Sequence, residues 1–227
     1  MDAQQRKLLE VVYESFENAG VPLTQIKGSN TGVYIGNFTL DQMVMQYQDP
    51  EYFTRYSATG AGVTVLANRI THCFDLHGPS VVLDTACSSS LYALHFACLA
   101  LDGHDCDGAV VASANLIQSP EQQLIAVKAG ILSPDSRCHT FDEAANGYGR
   151  AEGVGSLYLK RLSDAIRDGD PVRAVIRGTA VNGLVHIVYD HSSSHLTIKR
   201  IVLMFLTLIG MEEPLVSSSL VSGVKRP

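Results

Sequence analysis

The sequence predicts an α/β fold with helices packed on a largely parallel central sheet. Three observations carry this prediction. Short β-branched or small-residue apolar runs alternate with segments whose apolar residues recur at helical spacing. Glycine and proline punctuate the junctions. Hydrophobic residues make up 46% of the chain and charged residues 18%, which is too apolar and too weakly charged for a disordered polypeptide.

Taken in order, Leu8, Leu9, Val12, Phe16 and Ala19 fall on one helical face, and Gly20 and Pro22 stop that helix. Residues 32–38 read as a short buried strand, 40–48 as a helix ended by Asp49-Pro50, and 60–70, small and apolar, as another helix. Val81-Val82-Leu83 is a β-branched run, read as a buried strand. A polar turn over 84–90 leads into helical spacing over 91–101, and 109–114 is strand-like again. Ser119-Pro120 predicts a helix start, with serine at the N-cap and proline at the first helical position, and Gly130 ends that helix. Residues 154–159 and 172–181 read as strands, with Ser163-Asp164 capping a short helix between them. No internal repeat is present. Composition shifts after Asn182-Gly183, dividing the chain into a patterned body, 1–183, and a divergent tail, 184–227. The tail holds His191-Ser192-Ser193-Ser194-His195, an apolar run over 201–209 and Ser217-Ser218-Ser219, with no clear helix or strand register.

Charge and cysteine usage narrow the function classes. A net charge of −6 and a pI near 5.7 argue against a broad cationic surface for nucleic acid. The five cysteines form no C-x-x-C pair, so neither a zinc knuckle nor a secreted disulfide framework fits, and a reducing compartment is expected. The N-terminus opens directly into a helix pattern without an apolar signal core. The run 201–209 is far shorter than the roughly 20 residues of a membrane span. The expectation is a soluble, cytoplasmic chain with neither nucleic acid nor membrane as partner.

The most informative stretch is Asp84-Thr85-Ala86-Cys87-Ser88-Ser89-Ser90-Leu91. A strand runs into a tight turn of small residues and a helix begins there, with Cys87 at the turn. At a helix N-terminus a thiolate faces unpaired backbone N–H groups and the positive end of the dipole, both of which favour the nucleophilic form. Ala86, Ser88 and Ser89 leave room for a substrate, and the Cys87 N–H can serve as half of an oxyanion hole. This is the logic of a nucleophile elbow carried out with sulfur. Cysteine is also a common core residue, and the strand–turn–helix context alone leaves the two readings evenly balanced.

This stretch resembles the active-site signature of β-ketoacyl synthases, above all the ketosynthase domain of fungal, highly reducing, type I polyketide synthases. The resemblance spans nearly all of 1–183. Met1-Asp2-Ala3-Gln4-Gln5-Arg6 through Leu9-Glu10 is similar to the family's M-D-P-Q-Q-R…L-L-E helix, with Ala3 in place of proline. Gly32-Val33-Tyr34-Ile35-Gly36 resembles the family strand. Leu66-Ala67-Asn68-Arg69-Ile70 and Phe74-Asp75-Leu76-His77-Gly78-Pro79-Ser80 resemble the segment before the nucleophile. Phe141-Asp142 and Gly147-Tyr148-Gly149-Arg150-Ala151-Glu152-Gly153 resemble the F-D…G-Y-x-R-G-E-G block, with Ala151 in place of a glycine.

The resemblance implies the N-terminal half of a thiolase-like α/β fold, with a mixed central sheet and packed helices. It implies a homodimer, with strands near the nucleophile, here 81–84, pairing across the interface. It also implies acyl transfer to Cys87 from a thioester, then decarboxylative condensation with a malonyl unit. No cofactor is bound directly, and substrates arrive on the phosphopantetheine arm of an acyl carrier protein. In the family, the two assisting histidines, a supporting lysine and the second oxyanion donor belong to the C-terminal half. H-G-T-G-T and N-x-G-H motifs are absent from this sequence, the match stops after Asn182-Gly183, and the family's first strand is missing. The expectation is therefore an enzyme by descent, truncated, with an incomplete catalytic set. The alternative is a non-catalytic fragment that dimerises or binds a carrier protein, and a cysteine hydrolase with another base ranks behind both.

Other candidates are weaker. His95 lies eight residues after Cys87 on one helix, about 12 Å away at ~1.5 Å per residue, beyond hydrogen-bond reach. His72 and His77 read as loop or surface residues. His186, His191 and His195 are spaced like a loose metal cluster but lack a scaffold to aim them, so no metal site is expected. Asp84 reads as a turn anchor. Arg150 and Glu152 are expected to pair, near the pocket or simply in solvent.

Overall fold

Along residues 31–36 the side chains alternate between two buried faces, which requires helices on both sides of the sheet. The computed structural model meets that requirement and describes residues 1–182 and 201–209. Helix α1 (Ala3–Asn18) starts where the Asp2 carboxylate accepts the Gln4 N–H at 2.9 Å. Its Leu8, Val11, Val12 and Phe16 recur at helical spacing and are fully buried. After the short helix α2 (Leu23–Ile26), strand β1 (Thr31–Gly36) sends Val33 and Ile35 to the α1 face and Tyr34 to the other. Helix α3 (Asp41–Gln48) and a 3₁₀ turn lead to α4 (Ser57–Ala61) and α5 (Val65–Phe74). The single helix read over 60–70 is thus two. Gly62 is extended, its N–H bonded to Ala58 O at 3.0 Å, and this separates them.

Strand β2 (Ser80–Leu83) precedes α6 (Ser89–Asp102), and β3 (Gly108–Asn115) precedes α7 (Glu121–Lys128), which starts one residue later than predicted. Strand β4 (Gly153–Arg161), α8 (Leu162–Asp168) and β5 (Ala174–Ile176) follow. The strand read over 172–181 shrinks to the three residues that find partners. The tail adds strand β6 (Ile201–Ile209), where the sequence showed no register. A continuous uncharged run lacks alternation, yet it suits a strand flanked by others on both edges. The remaining tail residues, including His186, His191 and His195, lie outside those described.

Strand order is β2-β1-β3-β4-β6-β5. Only β1 with β2 and β1 with β3 run parallel, while β3–β4, β4–β6 and β5–β6 are antiparallel. The sheet is therefore mixed rather than largely parallel. The register Gly36↔Leu83 and Gly36↔Ser113 puts the C-terminal ends of the three parallel strands side by side. On one face Phe16 packs edge-on against Phe74 (5.4 Å) and Tyr158 (5.3 Å), between α1, α5 and the sheet. On the other, Ala93, Ala97 and Leu101 of α6 cover Ala109, Val111 and Leu159. Alanine on this helix lets it lie close to the sheet. β2 is an edge strand and only partly buried, with Val81 38% exposed, which corrects its reading as a buried strand. Among the described residues no helix is long and apolar enough to cross a membrane.

Candidate active site around Cys87

The parallel strands end where α6 begins, and Cys87 sits at that junction, two residues before the first helical position. Local chemistry folds the turn. The Asp84 carboxylate accepts the Ala86 N–H at 2.9 Å, so Asp84 anchors the turn. Ala86 is left-handed at φ 55°, a conformation that costs a non-glycine residue about 1 kcal/mol or more. Ser89, almost fully buried, accepts the Thr85 N–H at 2.9 Å and donates to Ala86 O at 2.6 Å. Ser88 donates to Thr85 O at 2.8 Å. The carbonyls and amides on either side of Cys87 are thus held by neighbours only a few residues away.

Close packing fixes the turn against the sheet. A Cβ at Gly36 would fall 2.5 Å from the Ser89 carbonyl carbon and nearer still to the Ser90 amide, so only glycine lets β1 meet the start of α6. The Asn37 N–H then bonds Leu83 O at 3.0 Å, extending the β1–β2 pairing to the edge of the turn.

Cys87 is exposed and opens into a cleft of about 430 Å³. Phe38, Ile125, Ala126 and Ile131 give it an apolar lining, and Asn115, Gln122, Tyr148 and Arg150 add polar groups. The loop 131–152 forms one wall. Tyr148 N–H bonds Ile131 O at 3.2 Å, Ser133 N–H bonds Tyr148 O at 3.0 Å, and Gly149 N–H points at Cys138 Sγ at 3.3 Å. Asn115 at the end of β3 ties the loop down by donating to Ala151 O at 2.8 Å.

The expected pairing of Arg150 with Glu152 does not form. Glu152 instead accepts the Ile117 N–H at 2.7 Å, because the segment after β3 brings that amide to it. His95 bonds Thr179 Oγ1 at 2.8 Å, while His72 and His77 are exposed. Among the described residues no histidine lines the cleft. Among the described residues no cluster of three or more His, Cys, Asp or Glu could hold a metal ion. Of the other cysteines, Cys98 and Cys106 are buried. Burial pushes the Cys98 thiol up to about 12 and raises that of Cys106. Cys73 and Cys138 are exposed. The sequence did not single out Asn115, Gln122, Ile125 or Ile131. The signal was apolar residues of α7 and its following loop left in solvent: Ile125 is 59% and Ile131 47% exposed.

Comparison with known proteins decides the family. The profile described as "Beta-ketoacyl synthase, N-terminal domain" matches residues 1–165. The chain belongs to the β-ketoacyl synthase family. A highly reducing polyketide synthase of Neurospora crassa is 65% identical over 182 residues, covering 80% of this chain and 8% of that protein. A second, from Pyricularia oryzae, is 65% identical over 182 residues and covers 80% of this chain and 7% of that protein. The chain thus spans less than a tenth of these relatives. Among solved structures, the ketosynthase from module 6 of the Bacillus subtilis bacillaene synthase has a TM-score of 0.68 at 35% identity, over 81% of this chain and 32% of that one. An oxazolomycin ketosynthase domain from Streptomyces albus also has a TM-score of 0.68, at 38% identity, over 77% and 32%. The fold is the thiolase-like α/β arrangement of ketosynthases, with a mixed sheet and packed helices.

Proposed function

We propose that the chain is the nucleophile-bearing part of a β-ketoacyl synthase of polyketide assembly, and that Cys87 carries the acyl group. The observation that supports this best is an exposed thiol on a strand–helix turn, opening into an apolar-lined cleft within the family-matched segment. In the proposed step Cys87 Sγ attacks the carbonyl carbon of an acyl thioester. The oxyanion that forms is held by the Cys87 N–H. Collapse expels the donor thiolate, which takes up a proton, and leaves the acyl chain on sulfur. The donor is the phosphopantetheine arm of an acyl carrier protein, and the apolar lining takes the alkyl part of the chain. Decarboxylative condensation with a malonyl unit is the second half of the family chemistry. Among the described residues no histidine lines the cleft, so acylation of Cys87 is the half-reaction this geometry supports.

A binding role is favoured by a separate observation. β2 is an open edge, and beside it Val81, Leu83, Phe96 and Leu99 line a groove of about 400 Å³. Pairing of two β2 edges would give a homodimer through this surface. Acyl thioesters of a carrier protein, followed by intact mass and peptide mapping, test the catalytic reading. A single acyl adduct on Cys87, absent in Cys87→Ser, is expected. No adduct together with a dimer in sedimentation would leave only the binding role.

A further inference from the structure

Among the described residues, Arg150 is the one charged side chain lining the Cys87 cleft, and it also lines a second cavity of about 570 Å³. Tyr148 lines both cavities as well, so the two side chains form the partition between them. Arg150 is half-buried, and its nearest carboxylate in sequence, Glu152, is taken by the Ile117 amide. No ion pair forms on Arg150 among the described residues. A guanidinium presents a fork of donors, and losing water without gaining an acceptor is costly. A plain hydrocarbon chain filling the cleft would impose that cost. A chain bearing an oxygen acceptor would relieve it.

We propose that Arg150 makes the cleft selective for acyl groups that carry an acceptor oxygen, a hydroxyl or a carboxylate, over saturated chains of equal length. This rests on Cys87 being the acylated residue. It assigns Arg150 to substrate selection, with the bond-making left to the thiol. The extender's departing carboxylate is the poorer occupant: a cation that stabilises it in the ground state opposes the loss of charge as CO2 leaves. Sites built to bond a polar group reject the analogue that lacks it far more strongly than apolar sites reject a missing methylene.

The test acylates the full chain with N-acetylcysteamine thioesters of hexanoate, 3-hydroxyhexanoate and hexanedioate, reading the rate at Cys87 by mass. An oxygenated donor is expected to react at least about tenfold faster than hexanoate, and its identity tells hydroxyl from carboxylate recognition. In Arg150→Met that ratio should fall towards one, and Arg150→Lys should restore part of it. An unchanged ratio in Arg150→Met, or hexanoate reacting fastest in the parent, overturns the proposal and leaves acylation itself standing. No Cys87 adduct from any donor overturns the acyl-transfer reading and this one with it. A second readout does not use acylation. The iodoacetate-to-iodoacetamide rate ratio at Cys87 should drop several-fold in Arg150→Met, whereas an equal ratio places the guanidinium out of the thiol's reach.

Discussion

On the Cys87 side of its cleft, Thr85, Ala86, Ser88 and Ser89 bond to one another within a few residues, and Gly36 brings β1 into backbone contact with the start of α6. On the facing side, the loop 131–152 is mostly exposed. It is tied to the body at a few places, such as Asn115 to Ala151 and Ile117 to Glu152. If Cys87 is the acylated residue, as proposed, the difference shows where the site demands accuracy. Sulfur must be presented at one position to any thioester, so its turn is fixed by short-range bonds and close packing. The facing wall, which on the proposed reading would meet the variable acyl chain, makes fewer contacts with the rest of the fold.

The comparison can be broken at its tightest point. Gly36→Ala pushes a methyl group into the Ser89–Ser90 backbone, which cannot give as a flexible side chain would. A loss of about 3 kcal/mol is expected, read as a shift of the urea midpoint. A change below about 0.5 kcal/mol would show that β1 and α6 do not touch as described. Ser89→Ala is next. It removes the part-buried bond to the Thr85 N–H and frees Ala86 O, at a cost of about 1 kcal/mol, and it should slow Cys87 alkylation in the folded protein. Unaltered stability and alkylation rate would mean that the turn holds itself without Ser89.

The facing wall should yield less. Cys138→Ala removes the acceptor of the Gly149 N–H from an exposed loop, where water can replace it, so a change within about 0.5 kcal/mol is expected by thermal unfolding. A larger loss would make this wall as rigid as the other. The smallest effect lies remote from both. Arg167 and then Lys160, by hydrogen bonds, hold the Asp168 carboxyl well below the usual carboxylate range. A depressed carboxylate stabilises the fold above its unfolded value of about 3.9, and that share is lost as pH falls below it. Asp168→Asn should therefore lower stability slightly at neutral pH, leave it nearly unchanged in strong acid, and so flatten the acid side of the stability curve. A steeper acid loss in the variant would contradict the sign.

The body's elements were legible because each carries its own period: Leu8, Val12 and Phe16 for α1, and β-branched runs for β2 and β3. The turn at Cys87 was legible for the same reason, since strand, small residues and helix follow one another locally. What escaped was set at long range. Strand β6 finds its neighbours β4 and β5 across the sheet without alternation of its own to mark it. The parallel-to-antiparallel switch after β3 depends on the direction in which β4 returns, to which helix and strand periods are blind. In place of an Arg150–Glu152 pair, Glu152 accepts a backbone amide 35 positions away in sequence, that of Ile117, a contact the local pattern does not show. The wall residues of α7 read as ordinary amphipathic positions, and only their exposure in the fold sets them apart.

The most direct test of the account is competition among the five thiols of the folded chain. Limiting iodoacetamide at neutral pH, with each cysteine peptide quantified over time, measures it. Cys98 and Cys106 are buried and should stay unmodified until the protein unfolds. Cys87 should react well ahead of Cys73 and Cys138, which are also exposed, and an acyl thioester added first should protect Cys87 alone. Equal rates at the three exposed thiols, with no protection by the thioester, would contradict the account.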